Sequence, residues 1–328
     1  MLKRMGQQNN HIISNDTPSG TAYHRPVMLE ECMQWLAIAQ RRDGIFVDAT
    51  LGGGGHSRAI LDRLSQEGRL FSFDQDGEAI AHFQADDVDE RITLINENFR
   101  YMKRFLRLEG VRRVDGILAD LGVSSHQIDA GERGFSTRSD GPLDMRMDGR
   151  GLRTAAEVVN ESSPEELEQL FRLYGELRNA KAVTRAIVAA RTEKAIATTG
   201  ELRQAVAPLL PRGRENKMLA VIFQALRIEV NGELEALKEM LQQASELLNP
   251  GGRLVVMSYH SLEDRLVKNF MRAGNFEGEI KQDFYGNVVA PLQPVVRSAI
   301  VASDDELAAN NRARSARLRV AEKREEQS

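Results

Sequence analysis

The sequence is poor in several features that would each point to a class of protein. It has one cysteine, Cys32, among 328 residues. That excludes an internal disulfide and a four-cysteine zinc site, and fits a reducing compartment. No apolar run approaches the ~20 residues needed to cross a bilayer, so a membrane-spanning reading is excluded. Residues 1–22 are polar, lack the apolar centre of a signal peptide and read as a disordered tail. Excess positive charge is missing too: 44 basic against 48 acidic residues give −4, whereas a domain held on phosphates alone is usually basic. A footprint needs only one basic face. Two basic clusters, Arg100 to Arg113 and Arg312 to Arg324, are therefore noted, although such runs are more often solvated helix faces. What remains is 41% hydrophobic and 28% charged, enough to bury a full core. The length suits about two domains of ~150 residues each. A cytoplasmic, enzyme-sized protein is expected.

The pattern along the chain alternates strands and helices. Glu30–Ala39 reads as a helix. Ile45 to Thr50 is an apolar run that stops at four glycines, Gly52 to Gly55. A helix to Gly68 follows, then a strand from Arg69 to Phe73 ending in Asp74, another helix, a strand over Ile92 to Ile95, and a fourth over Val114 to Leu121. Such alternation predicts a parallel α/β sheet with helices on both faces. Right-handed crossovers then bring the strand C-terminal ends to one edge. The next comparable strand, Arg253 to Ser258, comes about 130 residues later, far beyond the ~10–12 residues a crossover needs. An insertion over 131–229 is expected between two halves of one α/β domain, 23–130 and 230–328. It opens with a polar stretch, Gly131 to Gly151, too polar to form a core alone. It then turns helical from the Ser163-Pro164-Glu165-Glu166 start signal onward. Residues 283–302 read as edge strands because of Pro291 and Pro294, and Asp304 onward as a fraying helix.

Three segments carry chemistry. Asp48 to Ser57 is a glycine loop between a strand and a helix, where the backbone can approach a ligand closely. It is not the dinucleotide fingerprint, because the third glycine would fall at Ser57, and no Gly-Lys-Ser/Thr follows for a phosphate loop. Asp74, 22 residues past Gly52, is placed to accept from ribose hydroxyls, with Asp76 as its competitor. Loop and acid together indicate a nucleoside, without choosing between NAD and S-adenosylmethionine. Asp120 closes the fourth strand at the same edge. His260 closes the fifth and suits either a cap or a catalytic role. The six histidines do not group as a metal site, and neither H-E-x-x-H nor G-x-S-x-G occurs.

These segments together resemble the bacterial 16S rRNA cytosine-N4 methyltransferases, the ribosomal RNA small subunit methyltransferase H family. The resemblance rests on residues 24–30, 48–57 and 120–127, on Arg133-Gly134-Phe135-Ser136 through Met147, and on Phe223 to Ile228. His260 to Asp264 and Arg312 to Ser315 complete it. It runs from about His24 to Lys323. It implies a Rossmann-like S-adenosylmethionine-dependent methyltransferase sheet with an inserted helical domain. It also implies a cofactor site at Gly54, Gly55, His56, Asp74, Phe99, Asp120 and Gln127. The implied substrate is the N4 amine of a decoding-centre cytosine in 16S rRNA, within the small ribosomal subunit. A homodimer stays open.

Three places depart from the family pattern: Lys217 to Ile222, Leu177 after Gly175-Glu176, and Tyr259 in place of the usual phenylalanine. For the chemistry, Asp120 or a backbone carbonyl of 121–123 can accept the amine N–H, and Tyr259 or Phe135 can stack on a flipped base. An NAD-dependent dehydrogenase and a non-catalytic RNA-binding module are the rival readings.

Overall fold

The computed structural model describes residues 26–86, 89–151 and 153–325. The expected tail over 1–22, and His24 and Arg25 of the first family motif, lie outside the described residues.

Short apolar runs build one sheet. Its strands are β1 (Ile45–Asp48), β2 (Arg69–Phe73), β3 (Ile92–Ile95), β4 (Val114–Asp120), β5 (Leu248–Ser258), β6 (Leu292–Pro294) and β7 (Arg317–Lys323). They lie in the order β3-β2-β1-β4-β5-β7-β6. The first five are parallel; β7 runs antiparallel to both its neighbours. The order reverses at β1, so the crevice beside the β1 and β4 ends is the switch point at which ligands bind in doubly wound sheets.

Helices flank this sheet: α1 (Leu29–Leu36), α2 (Gly55–Leu61), α3 (Gly77–Gln84), α4 (Met102–Leu108) and the single-turn α5 (Ser125–Asp129). Between β4 and β5 come α6 (Ala155–Glu161), α7 (Pro164–Leu173), α8 (Ala180–Glu193), α9 (Thr199–Val206), α10 (Glu215–Asn231) and α11 (Glu233–Leu247). The chain ends with α12 (Ser261–Ala273) after β5 and α13 (Asp304–Ala309) before β7.

Neighbouring strand residues point to opposite faces, and each face has its own core. Val47, Phe71, Ile117 and Val256 pack with Met102 and Leu106 of α4 and Leu237 and Leu241 of α11. Phe46, Leu70, Leu118 and Val255 pack with Met33 and Leu36 of α1 and Ile60 of α2. A third core draws its buried members from residues 143–226, among them Leu143, Met145, Phe171, Ile187, Leu202 and Phe223. The start signal at Ser163 is used as read: its side chain caps α7, accepting from Glu166 N.

Two expectations fail. The chain after Asp304 is α-helical only to Ala309, makes a 3-10 helix over Asn311–Ser315, and then supplies β7 as an interior strand of the sheet. The reason is period-two burial: Leu318 and Val320 are buried, while Arg319 between them forks onto Asp264 at 2.6 and 3.1 Å. The expected edge strands over 283–302 reduce to β6 and isolated bridges. Pro294 sits on that outermost strand, where its missing N–H is tolerated.

Candidate active site

The parallel strands deliver acids to one edge. Asp48, at the end of β1, is wholly buried and accepts from Thr50 N at 3.1 Å and Ser57 Oγ at 2.7 Å. These bonds pin both ends of the glycine loop to the strand. Burial pushes the Asp48 carboxyl up to about 7, against the pull of the Ser57 hydrogen bond.

Within the loop the glycines have different neighbours. A Cβ on Gly54 (φ +75°) would lie 2.2 Å from the Phe83 ring, and one on Gly55 would lie 2.1 Å from Pro26 Cγ. Both are small because protein packs against them. Gly52 (φ +49°) is open, with Ser124 Cβ the nearest atom at 4.0 Å. Of Gly52, Gly54 and Gly55 it is the one with open space beside it. Its N–H donates to Asp74 Oδ2 at 2.8 Å.

Asp74 follows β2, and its Oδ1 accepts from Asp76 N at 2.9 Å. Burial raises its carboxyl to about 6, moderated by these backbone bonds. Each oxygen keeps a further lone pair, which is what adjacent ribose hydroxyls require. Asp76 is buried rather than a solvated helix start. It caps α3 and receives Gln127 Nε2 at 2.8 Å and Arg133 Nη2 at 3.0 Å. Gln127 Oε1 accepts from Ser124 N at 3.0 Å, so this side chain ties the segment after β4 to α3. Phe99 lies after β3, half-buried against the sheet core; the adjacent Asn98 side chain bonds Gln75 at 2.7 Å. The strand ends thus bring Asp48, Asp74 and Asp120 to one edge of the sheet, with His56 of α2 3.8 Å from Asp120.

At the end of β4, Asp120 N donates to Thr50 Oγ1 at 2.7 Å, and Tyr259 Oη donates to Asp120 Oδ1 at 2.8 Å. The side chain keeps 24% of its surface open. Its setting still raises the carboxyl to about 7, burial being the main cause and the charges of Asp48 and Glu263 adding to it. His56 is buried with Nε2 3.2 Å from Val27 O and Nδ1 3.8 Å from Asp120 Oδ2. Burial lowers it to about 4, so it is neutral at pH 7. Donation from Nε2 to Val27 leaves Nδ1 an acceptor.

His260 takes the capping option. Its Nδ1 accepts from Glu263 N at 3.4 Å at the head of α12, and its ring is 8% open. Glu263 in turn accepts from the backbone N–H groups of Tyr259 (3.0 Å) and His260 (3.3 Å). Glu233, His260 and Glu263 lie within 4.8 Å of one another. Arg227 forks onto Glu233 at 2.8 and 2.9 Å, supplying positive charge from within the protein.

The stretch 131–151 forms no core of its own but packs against the helical segment. Leu143 and Met145 enter the third core. Arg133 holds Asp76, Glu78 and the Met147 carbonyl, while Asn231 of α10 accepts from Met147 N at 2.7 Å. Beside it a cleft of about 830 Å³ is lined by Val123, Phe135, Arg138, Gln224, Arg227 and Arg312, among others. The altered run Lys217 to Ile222 places Ala220 on this cleft and buries Leu219 and Ile222.

A glycine loop behind β1, with acids closing β2 and β4, is the arrangement with which doubly wound enzymes take a nucleoside-bearing cofactor at their strand ends. Residues 21–324 match the family model described as the MraW methylase family; the chain belongs to that family, and its cofactor is S-adenosylmethionine. The ribosomal RNA small subunit methyltransferase H of Amoebophilus asiaticus is 54% identical over 306 residues, 93% of this chain and 97% of its own. The protein of the same name from Flavobacterium johnsoniae is 55% identical over 301 residues, 92% of this chain and 98% of its own. Among solved structures, an rRNA methylase from Streptococcus thermophilus is similar at 12% identity and a TM-score of 0.41, covering 90% of this chain and 94% of that one. Membership in a methylase family sets aside the dehydrogenase and the non-catalytic binding module. Among the described residues no helix is long and apolar enough to cross a membrane.

Proposed function

We propose that this chain methylates the exocyclic N4 amine of a decoding-centre cytosine in 16S rRNA, in the cytoplasm, within the small ribosomal subunit. The observation that carries the reading is the near full-length likeness to proteins named ribosomal RNA small subunit methyltransferase H. The cleft beside the β4 end, with arginines and Phe135 on its wall, supports an RNA base as the guest.

In this reading residues 23–130 and 230–328 hold the cofactor, and 131–229 reads the RNA. Asp74 takes the ribose hydroxyls, Phe99 lies against the adenine, and Gly54, Gly55 and His56 form the loop under the cofactor. Asp120 and Gln127 lie toward its methionine end. When bound, S-adenosylmethionine supplies a methyl group already activated on a sulfonium. The protein's task is then alignment, exclusion of water and acceptance of a proton. A cytosine amine is a poor nucleophile because its lone pair is delocalised into the ring. A carboxylate that accepts one N–H draws the lone pair back onto nitrogen. Asp120 is that acceptor: titrating near 7, it is substantially ionised at neutral pH and able to hold the proton it receives. His260, its ring engaged in the cap, serves the reaction by fixing the end of β5.

Transfer of labelled methyl from S-adenosylmethionine to naked 16S rRNA and to assembled small subunits tests this. Labelling of 16S rRNA is expected, stronger in assembled subunits. No labelling of either, with cofactor bound, would overturn the RNA reading.

A further inference from the structure

Asp120 has one oxygen engaged and one free. Oδ1 receives the Tyr259 hydroxyl at 2.8 Å. Oδ2 has no donor within hydrogen-bonding distance among the described residues: His56 Nδ1 is 3.8 Å away, and His56 offers its proton to Val27. One fixed donor restrains the carboxyl's rotation and favours one direction for its free oxygen. Tyr259 is itself fixed at both ends. Its backbone N–H is bonded to Glu263 Oε2 at 3.0 Å, and its ring packs against the second core, close to Gly122.

Resting on the reading of Asp120 as amine acceptor, we propose that Tyr259 is a positioning residue for the methyl-transfer reaction, its hydroxyl fixing Asp120 so that Oδ2 is presented to the substrate amine. The same hydrogen bond favours the ionised carboxylate over the neutral acid. Burial and the adjacent Asp120 charge push the phenol well above its usual range, so the hydroxyl stays a donor throughout the working pH. The other titratable groups near Asp120 are Asp48 of β1, His56 of α2, Glu263 of α12 and Cys32 of α1. All are retained when only the hydroxyl is removed.

The test is single-turnover methyl transfer to unmodified small ribosomal subunits at saturating S-adenosylmethionine, from pH 6 to 9, for wild type, Tyr259→Phe and Asp120→Asn. A lost hydrogen bond to a charged group moves a pKa by about one unit. Tyr259→Phe is therefore expected to move the acidic limb of the rate profile up by about one unit. The rate at pH 7 falls about tenfold or more and recovers only in part at pH 9, where the carboxylate is ionised but no longer held in place, while affinity for S-adenosylhomocysteine is unchanged. A limb that stays in place, or a rate that recovers fully at pH 9 because the hydroxyl tunes ionisation without holding Asp120, would overturn the proposal while leaving the acceptor reading intact. Asp120→Asn with wild-type turnover would overturn the acceptor reading itself, and the proposal with it.

Discussion

Gly52 and Gly54 are two residues apart, share a left-handed backbone, and are small for different reasons. Gly54→Ala drives a methyl into the Phe83 ring. Overpacking and backbone strain together are expected to cost about 2–4 kcal/mol, seen as a lower melting temperature with or without cofactor. Gly52→Ala meets open space, so only the backbone strain of about 1–2 kcal/mol is expected in the fold. Its added methyl enters the crevice, and calorimetric titration should show cofactor affinity falling tenfold or more. Asp48 makes a pH prediction. Its carboxyl titrates near 7 in the folded chain against 3.8 ordinarily, so the folded state binds more protons between those values. Its stabilising contribution is full below pH 4 and lost as pH rises through 7. Asp48→Asn cannot ionise, so relative to wild type the cofactor-free variant should gain roughly 2–4 kcal/mol between pH 4 and 8, measured by denaturant melts. His56 is lowered to about 4 and works the other way, its contribution being lost as pH falls from 6.5 toward 4. At this scale the sequence showed Asp74 and Asp120, because an acid that ends an apolar strand has a known place. It did not show the bonds of Asp76 to Gln127 or Tyr259 to Asp120, whose partners lie 51 and 139 positions apart.

Among the elements, the parallel strands were legible because each is a short apolar run bounded by glycine or charge. β7 was not. Its arginines and lysine read as a charged helix, and the alternation of Leu318 and Val320 is only two residues deep. What makes it a strand is tertiary: β5 offers an open edge, and Asp264 of α12 receives Arg319. Leu318 is fully buried, so Leu318→Ala should cost about 2–5 kcal/mol in a denaturant melt. A loss under 1 kcal/mol would mean that β7 is peripheral to the sheet. The stretch 131–151 forms no core of its own, as its composition indicated, yet it is packed. Composition counts its charges, but Arg133, Arg146 and Asn231 satisfy the loop backbone and let Leu143 and Met145 turn inward.

For the whole molecule, net charge misleads about RNA because it averages over all faces. The chain carries −4 overall, yet Arg138, Arg227 and Arg312 line one cleft, Arg227 paired with Glu233 and Arg312 with Asp129. Local charge is the relevant quantity for a phosphate-bearing guest. Sheet topology puts the cofactor loop and Asp120 on one side of that region, and the helical segment with its own core supplies much of the other wall. Under the proposed function, such a layout would separate the methyl donor from the RNA-reading surface and join them at the end of β4. The most direct measurement is the identity of the methylated atom. Small subunits treated with the enzyme and isotope-labelled S-adenosylmethionine are digested to nucleosides, which are separated and weighed by mass spectrometry. Label in N4-methylcytidine is the expected result. Label confined to the ribose, to ring carbon 5 or to a purine would contradict the assignment of Asp120 as acceptor for an exocyclic amine.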